Sequence, residues 1–104
     1  MKRYYLAYGS NLNVRQMKYR CPTAKIVGTA VIRDYELLYK GSKTGSYLTI
    51  EKKKDSLVPV AVWEVTAADE HSLDIYEGYP SFYYKKNMKI RLSEAGKMID
   101  TFVY

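Results

Sequence analysis

The chain has 104 residues, of which 47% are hydrophobic, and carries a formal net charge of +6; this size predicts one domain over residues 1–104 with a single modest core. Its one cysteine, Cys21, has no partner for an internal disulfide, and no apolar run could serve as a signal peptide or span a bilayer, which argues against the secreted and membrane-spanning classes. We therefore predict a cytoplasmic protein whose positive charge favours anionic partners or substrates.

The first half of the chain favours strands, with one short helix among them. This helix is capped by Asn11 or Asn13 and runs through roughly Arg20. Pro22 stops it because proline has no backbone N–H to donate to the preceding turn. The predicted strands of this half cover residues 4–7, 25–33, 35–40 and 46–51. The second and third of them are expected to join tightly at Asp34.

A second helix follows a strand predicted over residues 57–65. Thr66 and Asp69 resemble a capping box in which Asp replaces the usual Glu. The helix that they open carries Leu73 on its apolar side, and Gly78 ends it.

The last two predicted strands cover residues 82–92 and 97–104. Lys85, Lys89 and Arg91 alternate with apolar residues, which predicts that they form the solvent-facing side of a strand. The final strand is still apolar where it stops, so we expect the native polypeptide to continue past Tyr104. Many strands and few helices bury best as a strongly curved or closed sheet with the helices packed outside.

The segment Tyr8-Gly9-Ser10-Asn11-Leu12, directly after the first predicted strand, is the first candidate site. Glycine lets the backbone turn sharply with positive φ, so that consecutive amide N–H groups can point into one concavity. Such a group of donors binds an anion or a developing oxyanion. We therefore interpret the segment as a binding loop and not only as a connection.

The end of the second helix is the second candidate site, because it carries Glu77. A carboxylate is disfavoured at the negative end of the helix dipole, and the aromatic neighbours Tyr76 and Tyr79 could desolvate it further. Both effects raise a carboxyl pKa toward the range of a general base. The alternative from the local sequence alone is an ordinary exposed glutamate before a helix-stopping glycine.

Other kinds of site fit the sequence less well. His71, Ser72 and Asp74 include the residue types of a catalytic triad, but their spacing on one helix excludes the usual geometry, and we expect His71 to face solvent. Cys21 has no cue for thiolate activation and is expected to be partly buried. One histidine and one cysteine cannot assemble a His/Cys zinc site, so no metal is predicted.

Taken together, two distant segments resemble those of a known family. They are Tyr8-Gly9-Ser10-Asn11-Leu12 and the helix end with Leu73-Asp74, Glu77-Gly78 and the later Tyr83. The resemblance is to the γ-glutamylcyclotransferase superfamily, which includes AIG2-like and γ-glutamylamine cyclotransferase proteins. Further matching positions extend it nearly end to end: Gln16-Met17, Arg20-Cys21-Pro22, Gly28-Thr29-Ala30, Tyr35, Thr49-Ile50, Val58-Pro59-Val60 and Trp63.

The resemblance implies an α+β fold, a small mixed β-barrel with two or more flanking short helices, and an enzyme that releases 5-oxoproline from γ-glutamyl amides. It implies that Glu77 is the catalytic general acid and base. It also implies that the backbone of Tyr8, Gly9, Ser10, Asn11 and Leu12 binds the glutamyl portion, and that Tyr83, or Tyr84 in a shifted register, faces the same pocket. This acyltransferase or cyclising lyase chemistry needs no metal and no organic cofactor.

Two further interpretations remain open from the sequence. A non-catalytic domain of the same fold could recognise a small anion, a peptide end or another protein, although a binder of acidic ligands gains nothing from Glu77. Nucleic-acid binding would need exposed aromatics along a positive groove, and Lys52-Lys53-Lys54 fits a solvated turn better. We expect a small-molecule γ-glutamyl substrate, an amine or amino acid derivative in preference to glutathione, and neither a membrane nor nucleic acid as partner.

Overall fold

Within the described ranges, the computed structural model contains five strands and two short helices. The described residues are 3–9, 14–42, 45–81, 83–93 and 96–104. In chain order the elements are β1 (Arg3–Ala7), α1 (Val14–Arg20), β2 (Lys25–Ser42), β3 (Gly45–Val65), α2 (Ala67–Glu77), β4 (Lys86–Arg91) and β5 (Met98–Val103).

All five strands belong to one mixed sheet with the order β2-β3-β1-β5-β4. Strands β1 and β5 are parallel, whereas the other neighbours are antiparallel. The expected α+β class with flanking short helices is confirmed. The expected closed barrel is wrong, because the two edge strands form no ladder in the described part of the chain. They approach each other where the Ser93 N–H, just past β4, donates to the Thr29 oxygen of β2 at 3.0 Å, and where Lys86 of β4 donates to the Tyr35 hydroxyl of β2.

The long hairpin of β2 and β3 differs from the prediction. Each of these strands was expected as two shorter ones, but each continues in one direction through an irregularity. The pairing register shifts between Arg33 and Tyr35, and Asp34 and Asp55 both have positive φ, 64° and 65°. The Asp55 N–H donates to Asp34 Oδ1 at 3.0 Å. Asp34 therefore lies in a bulge and not in a turn.

Both faces of the sheet are buried at its centre. On one face, Tyr5 and Trp63 pack with Met17 of α1 and Leu73 of α2. On the opposite face, a second cluster of core residues fills the concave side of the curved sheet: Leu6, Ala30, Ile32, Val58, Val60, Val62, Ile90, Leu92 and Val103. Alternate residues of β1 and β3 thus serve different clusters, as strand geometry requires.

Helix α2 begins and ends as the sequence predicts. The Thr66 side chain accepts from the Asp69 N–H at 3.2 Å, and Asp69 Oδ2 accepts from the Thr66 N–H at 3.1 Å. Asp69 is almost fully buried, and Thr23 donates to the same carboxylate at 2.7 Å. Gly78 ends the helix with a φ of 67°. These caps fix where Glu77, the last residue of α2, leaves the helix.

No helix in the described ranges is both long and apolar enough to cross a lipid bilayer.

Candidate active site

Glu77 lies at the C-terminal end of α2 and is partly buried. Burial raises the pKa of its carboxyl to about 7, and the nearby Arg20 guanidinium opposes this shift. Tyr76 and Tyr79, expected to desolvate the carboxylate, are themselves exposed. Arg20 lies over the Tyr76 ring, 3.6 Å from its centroid. A carboxyl with this pKa can take up and release a proton near neutral pH.

The turn after β1 lies close to this acid. Tyr8 is partly buried, and burial together with the negative potential of Tyr83 and Glu77 raises the pKa of its phenol far above the ordinary value. Gly9 has a φ of 69°, the left-handed conformation that the sequence predicted for a sharp turn. Ser10, Asn11 and Leu12, the rest of the predicted loop, lie outside the described residues. Of this loop, the structure therefore brings Tyr8 within electrostatic reach of Glu77.

Leu48 of β3 connects the turn with Tyr83. A Cβ on Gly9 would lie 2.9 Å from Leu48 Cδ2, so the glycine backbone lies directly against this side chain. The Tyr83 hydroxyl donates to the Leu48 main-chain oxygen at 2.5 Å. Tyr83 and Gly9 thus approach the same residue from two parts of the chain, which brings together the predicted turn and the predicted tyrosine.

A network of charged side chains, not anticipated from the sequence, holds α2 against the sheet. Lys85 Nζ lies 2.5 Å from Glu70 Oε2 and 2.9 Å from Asp74 Oδ1. The Tyr104 hydroxyl donates to Asp74 Oδ1 at 2.5 Å, and Arg3 Nε donates to Glu70 Oε1 at 2.9 Å. The prediction that Lys85 lies on the solvent face of a strand is wrong, because β4 begins one residue later and only 13% of the Lys85 side chain is exposed.

The network titrates as a set of paired charges. Burial opposes ionisation of Glu70, but hydrogen bonds from Lys85 and Arg3 outweigh it and lower the carboxyl pKa. Burial likewise opposes the charge of Lys85, yet its bonds to Glu70 and Asp74 raise its pKa. Glu70 and Lys85 therefore both remain charged around neutral pH.

Tyr104 connects this network with the candidate site by two hydrogen bonds. Burial, followed by the hydrogen bond to Asp74, strongly raises the pKa of its phenol, so Tyr104 remains a neutral donor. Its main-chain oxygen accepts a hydrogen bond from the Tyr8 hydroxyl at 2.9 Å. The helix that carries Glu77 and the turn that carries Gly9 are thus connected through Tyr104, a residue just past β5 that the sequence analysis did not single out.

A cavity of about 480 Å³ opens beside these residues. Its described lining includes Tyr83, Tyr84, Val103 and Tyr104, together with residues of the long hairpin. Both tyrosines that the sequence left as alternatives therefore reach this cavity. Glu77, Tyr8 and Gly9 are not among its described lining residues. Tyr8 is connected to the lining by the hydrogen bond from its hydroxyl to the Tyr104 main-chain oxygen.

Other reactive side chains lie away from this arrangement or are unreactive. His71 is exposed, as expected. Cys21 is fully buried, and burial raises its thiol pKa to about 11, which keeps it protonated. Among the residues with described positions, no group of three or more His, Cys, Asp or Glu side chains could hold a metal ion.

Three solved structures are similar to this chain over nearly its whole length. A solved gamma-glutamyl cyclotransferase is similar to this chain with a TM-score of 0.88 and 30% sequence identity, over 100% of this chain and 66% of that one. A crystal structure of an uncharacterized protein from Homo sapiens has a TM-score of 0.86 and 32% sequence identity, over 99% of this chain and 65% of that one. An AIG2-like protein from Mus musculus has a TM-score of 0.78 and 21% sequence identity, over 99% of this chain and 76% of that one. This likeness supports the fold alone.

The chain spans about two thirds of the length of the first two of these proteins. No curated protein is significantly similar in sequence. The family model described as "Gamma-glutamyl cyclotransferase, AIG2-like" matches residues 5–104. The match includes the turn at Tyr8, the helix end at Glu77 and the tyrosine at residue 83, so the resemblance noted from the sequence is confirmed. The chain therefore belongs to the gamma-glutamyl cyclotransferase, AIG2-like family.

Proposed function

We propose that this protein cyclises the γ-glutamyl group of a γ-glutamyl amine or amino acid to 5-oxoproline and releases the amine. In this proposal Glu77 is the general acid and base, the backbone of the turn at Gly9 binds the glutamyl portion, and Tyr8 and Tyr83 form walls of the pocket. Family membership supports the reaction class. The observation that carries the proposal is a partly buried Glu77 carboxyl with a pKa of about 7, close to Tyr8.

The first step is transfer of a proton. The substrate's α-ammonium cannot attack a carbonyl, so a carboxylate must first take one of its protons. An α-ammonium has a pKa of about 8, whereas an ordinary glutamate has one of about 4.3. Because burial brings the Glu77 pKa to about 7, the two groups exchange a proton at little cost in free energy.

Ring closure follows within one molecule. The neutral amine forms a bond to the γ-amide carbon, and negative charge develops on the amide oxygen. Backbone N–H groups held at such an oxygen each contribute about 3 kcal/mol. The turn at Gly9 would supply such donors. Breaking the amide C–N bond then expels the leaving nitrogen, which takes the proton held by Glu77. The ring nitrogen gives its second proton to the regenerated Glu77 carboxylate, which passes it to the released amine. Since both reacting groups belong to the substrate, the protein mainly has to fold it into an attack-ready conformation.

The test is formation of 5-oxoproline from a panel of γ-glutamyl compounds, including γ-glutamyl-ε-lysine, γ-glutamyl-alanine and γ-glutamyl-ethylamine. We expect Glu77→Gln to lower kcat/KM by about 100-fold to 10,000-fold, the range for loss of a general acid or base. The matched control is Glu36→Gln, which changes a carboxylate of the long hairpin that pairs with Lys53 at 3.5 Å. This control should retain wild-type turnover.

Two outcomes would overturn the proposal. Equal rates for wild type and Glu77→Gln would remove Glu77 from the mechanism. No product from any compound of the panel would favour a non-catalytic domain that binds a small anionic ligand or a protein partner.

A further inference from the structure

The cavity has two chemically different ends. Tyr83 and Tyr104 line the end next to Tyr8, where the proposed reaction takes place. The other end is formed by the long hairpin and the start of β4 and carries Lys40, Lys52 and Lys86 among its lining residues. A γ-glutamyl compound that places its glutamyl group near Tyr8 would extend its leaving amine toward these lysines.

The bulge at Asp34 is what turns this part of the hairpin into a cavity wall. Ile32 and Tyr35 both pack against the core cluster on the concave face. Residues three apart on a regular strand point to opposite faces, so the irregularity at Asp34, with its positive φ and register shift, is required for this arrangement. Tyr35 pairs directly with Lys52 on β3. Side chains of directly paired residues lie on the same face, about 5 Å apart at their Cβ atoms.

Lys86 approaches Tyr35 from β4. Its Nζ donates to the Tyr35 hydroxyl at 2.6 Å and lies 5.3 Å from the ring centroid. An ammonium has three N–H donors, so this bond leaves two for another acceptor. Lys52 and Lys86 are therefore both neighbours of Tyr35, the first as its pair on β3 and the second as the donor to its hydroxyl.

The positive charge at this end is not balanced. Lys40 forms an ion pair with Glu51, and both residues line the cavity. By contrast, no carboxylate on the described residues pairs with Lys52 or Lys86. Two ammonium groups at one end of a concave site attract an anion of matching size, and a carboxylate is the common anion on the amine side of γ-glutamyl compounds.

We propose that Lys52 and Lys86 form a carboxylate subsite for the leaving amine, so that γ-glutamyl amino acids and peptides are preferred to uncharged γ-glutamyl alkylamines. This inference rests on the proposed function. The preference arises from binding of a group remote from the reacting atoms, so it acts mainly on KM.

The sharpest test compares γ-glutamyl-alanine with γ-glutamyl-alaninamide, which differ only in the carboxylate. We expect wild type to prefer the acid by about tenfold in kcat/KM, as for two charge-assisted hydrogen bonds to one carboxylate. The double variant Lys52→Met/Lys86→Met should lose this preference while it turns over the amide as wild type does. Unchanged turnover of the amide shows that the variant is folded and the chemistry intact. Lys54→Met, an exposed lysine of the same strand, should retain the preference.

Binding to Glu77→Gln protein, measured by calorimetry, gives the same comparison without turnover. Equal affinities for acid and amide, or a preference that survives in the double variant, would overturn the subsite. If neither compound yields 5-oxoproline but the acid still binds more tightly, the subsite stands and the proposed reaction fails. If both compounds yield 5-oxoproline at equal kcat/KM, the proposed reaction stands and the subsite fails.

Discussion

Lysine has different surroundings beside α2 and on the long hairpin of β2 and β3. Lys85 lies between Glu70 and Asp74 with 13% of its side chain exposed, and its Nζ is also 4.7 Å from the centroid of the Tyr79 ring. Lys53, on the long hairpin, pairs with Glu36 at 3.5 Å and is 58% exposed. Desolvated pairs are costly to break, whereas exposed pairs contribute little to stability. Breaking the pairs of Lys85 should therefore cost more stability than breaking the pair of Lys53.

The largest effect should come from breaking the buried network with Lys85→Met. It leaves Glu70 and Asp74 close together without their shared cation, so we expect a loss of about 2 kcal/mol in the free energy of unfolding, after allowance for their partial exposure. Lys53→Met, the matched change on the hairpin, should cost less than about 0.5 kcal/mol. Urea unfolding at pH 7 measures both values. Similar losses for the two variants would contradict the comparison.

Wild type and Lys85→Met also test how the stability contribution of Glu70 depends on pH. Because the Glu70 pKa is lowered in the folded state, its contribution is present above the pKa of the unfolded chain and is lost as pH falls through the folded value. The stability difference between wild type and Lys85→Met should therefore shrink on acidification, whereas a difference independent of pH would exclude this carboxylate as the source.

A smaller effect is expected at the turn, from Gly9→Ala. The turn would force alanine into a positive φ, and the added methyl group would meet Leu48 Cδ2 at 2.9 Å. The backbone strain costs about 1 kcal/mol, and displacement of Leu48 adds to it. Because Tyr83 donates to the Leu48 main-chain oxygen, we also expect kcat/KM for 5-oxoproline formation to fall. Gly41→Ala is the control, since nothing lies within 4 Å of its Cβ position. Equal stability of the two variants would contradict a strained turn.

Local signals were enough to predict the parts of the fold that depend on neighbouring residues. Thr66, Asp69 and Gly78 fix both ends of α2 through their own hydrogen bonds and φ values. The break at Asp34 was misread because a residue with positive φ serves a turn or a bulge equally well. Only pairing with β3, far along the chain, decides between them.

For the candidate site, local patterns predicted the direction of the Glu77 pKa shift. The pKa is raised as expected, and burial is the main cause. Lys85 and Tyr104 could not be found from local patterns, because their partners on α2 are distant in sequence: Lys85 lies 15 residues from Glu70 and Tyr104 lies 30 from Asp74. The alternation of charged and apolar residues in this segment even predicted, wrongly, that Lys85 faces solvent.

The stability of the protein should also report on Glu77. Its folded pKa lies above that of the unfolded chain, so the protonated carboxyl stabilises the fold at low pH, and this contribution is lost as pH rises from about 4.5 through about 7. Glu77→Gln, which resembles the protonated form, should therefore be more stable than wild type at pH 8, by about 1–2 kcal/mol after allowance for partial exposure.

The central claim is tested most directly by titrating the Glu77 carboxyl itself. The side-chain carboxyl carbon of wild-type protein can be followed by NMR against pH, with Glu77→Gln protein to assign the signal. We predict a midpoint near pH 7. A midpoint near 4.5, the value of an ordinary glutamate, would contradict a buried base at the end of α2.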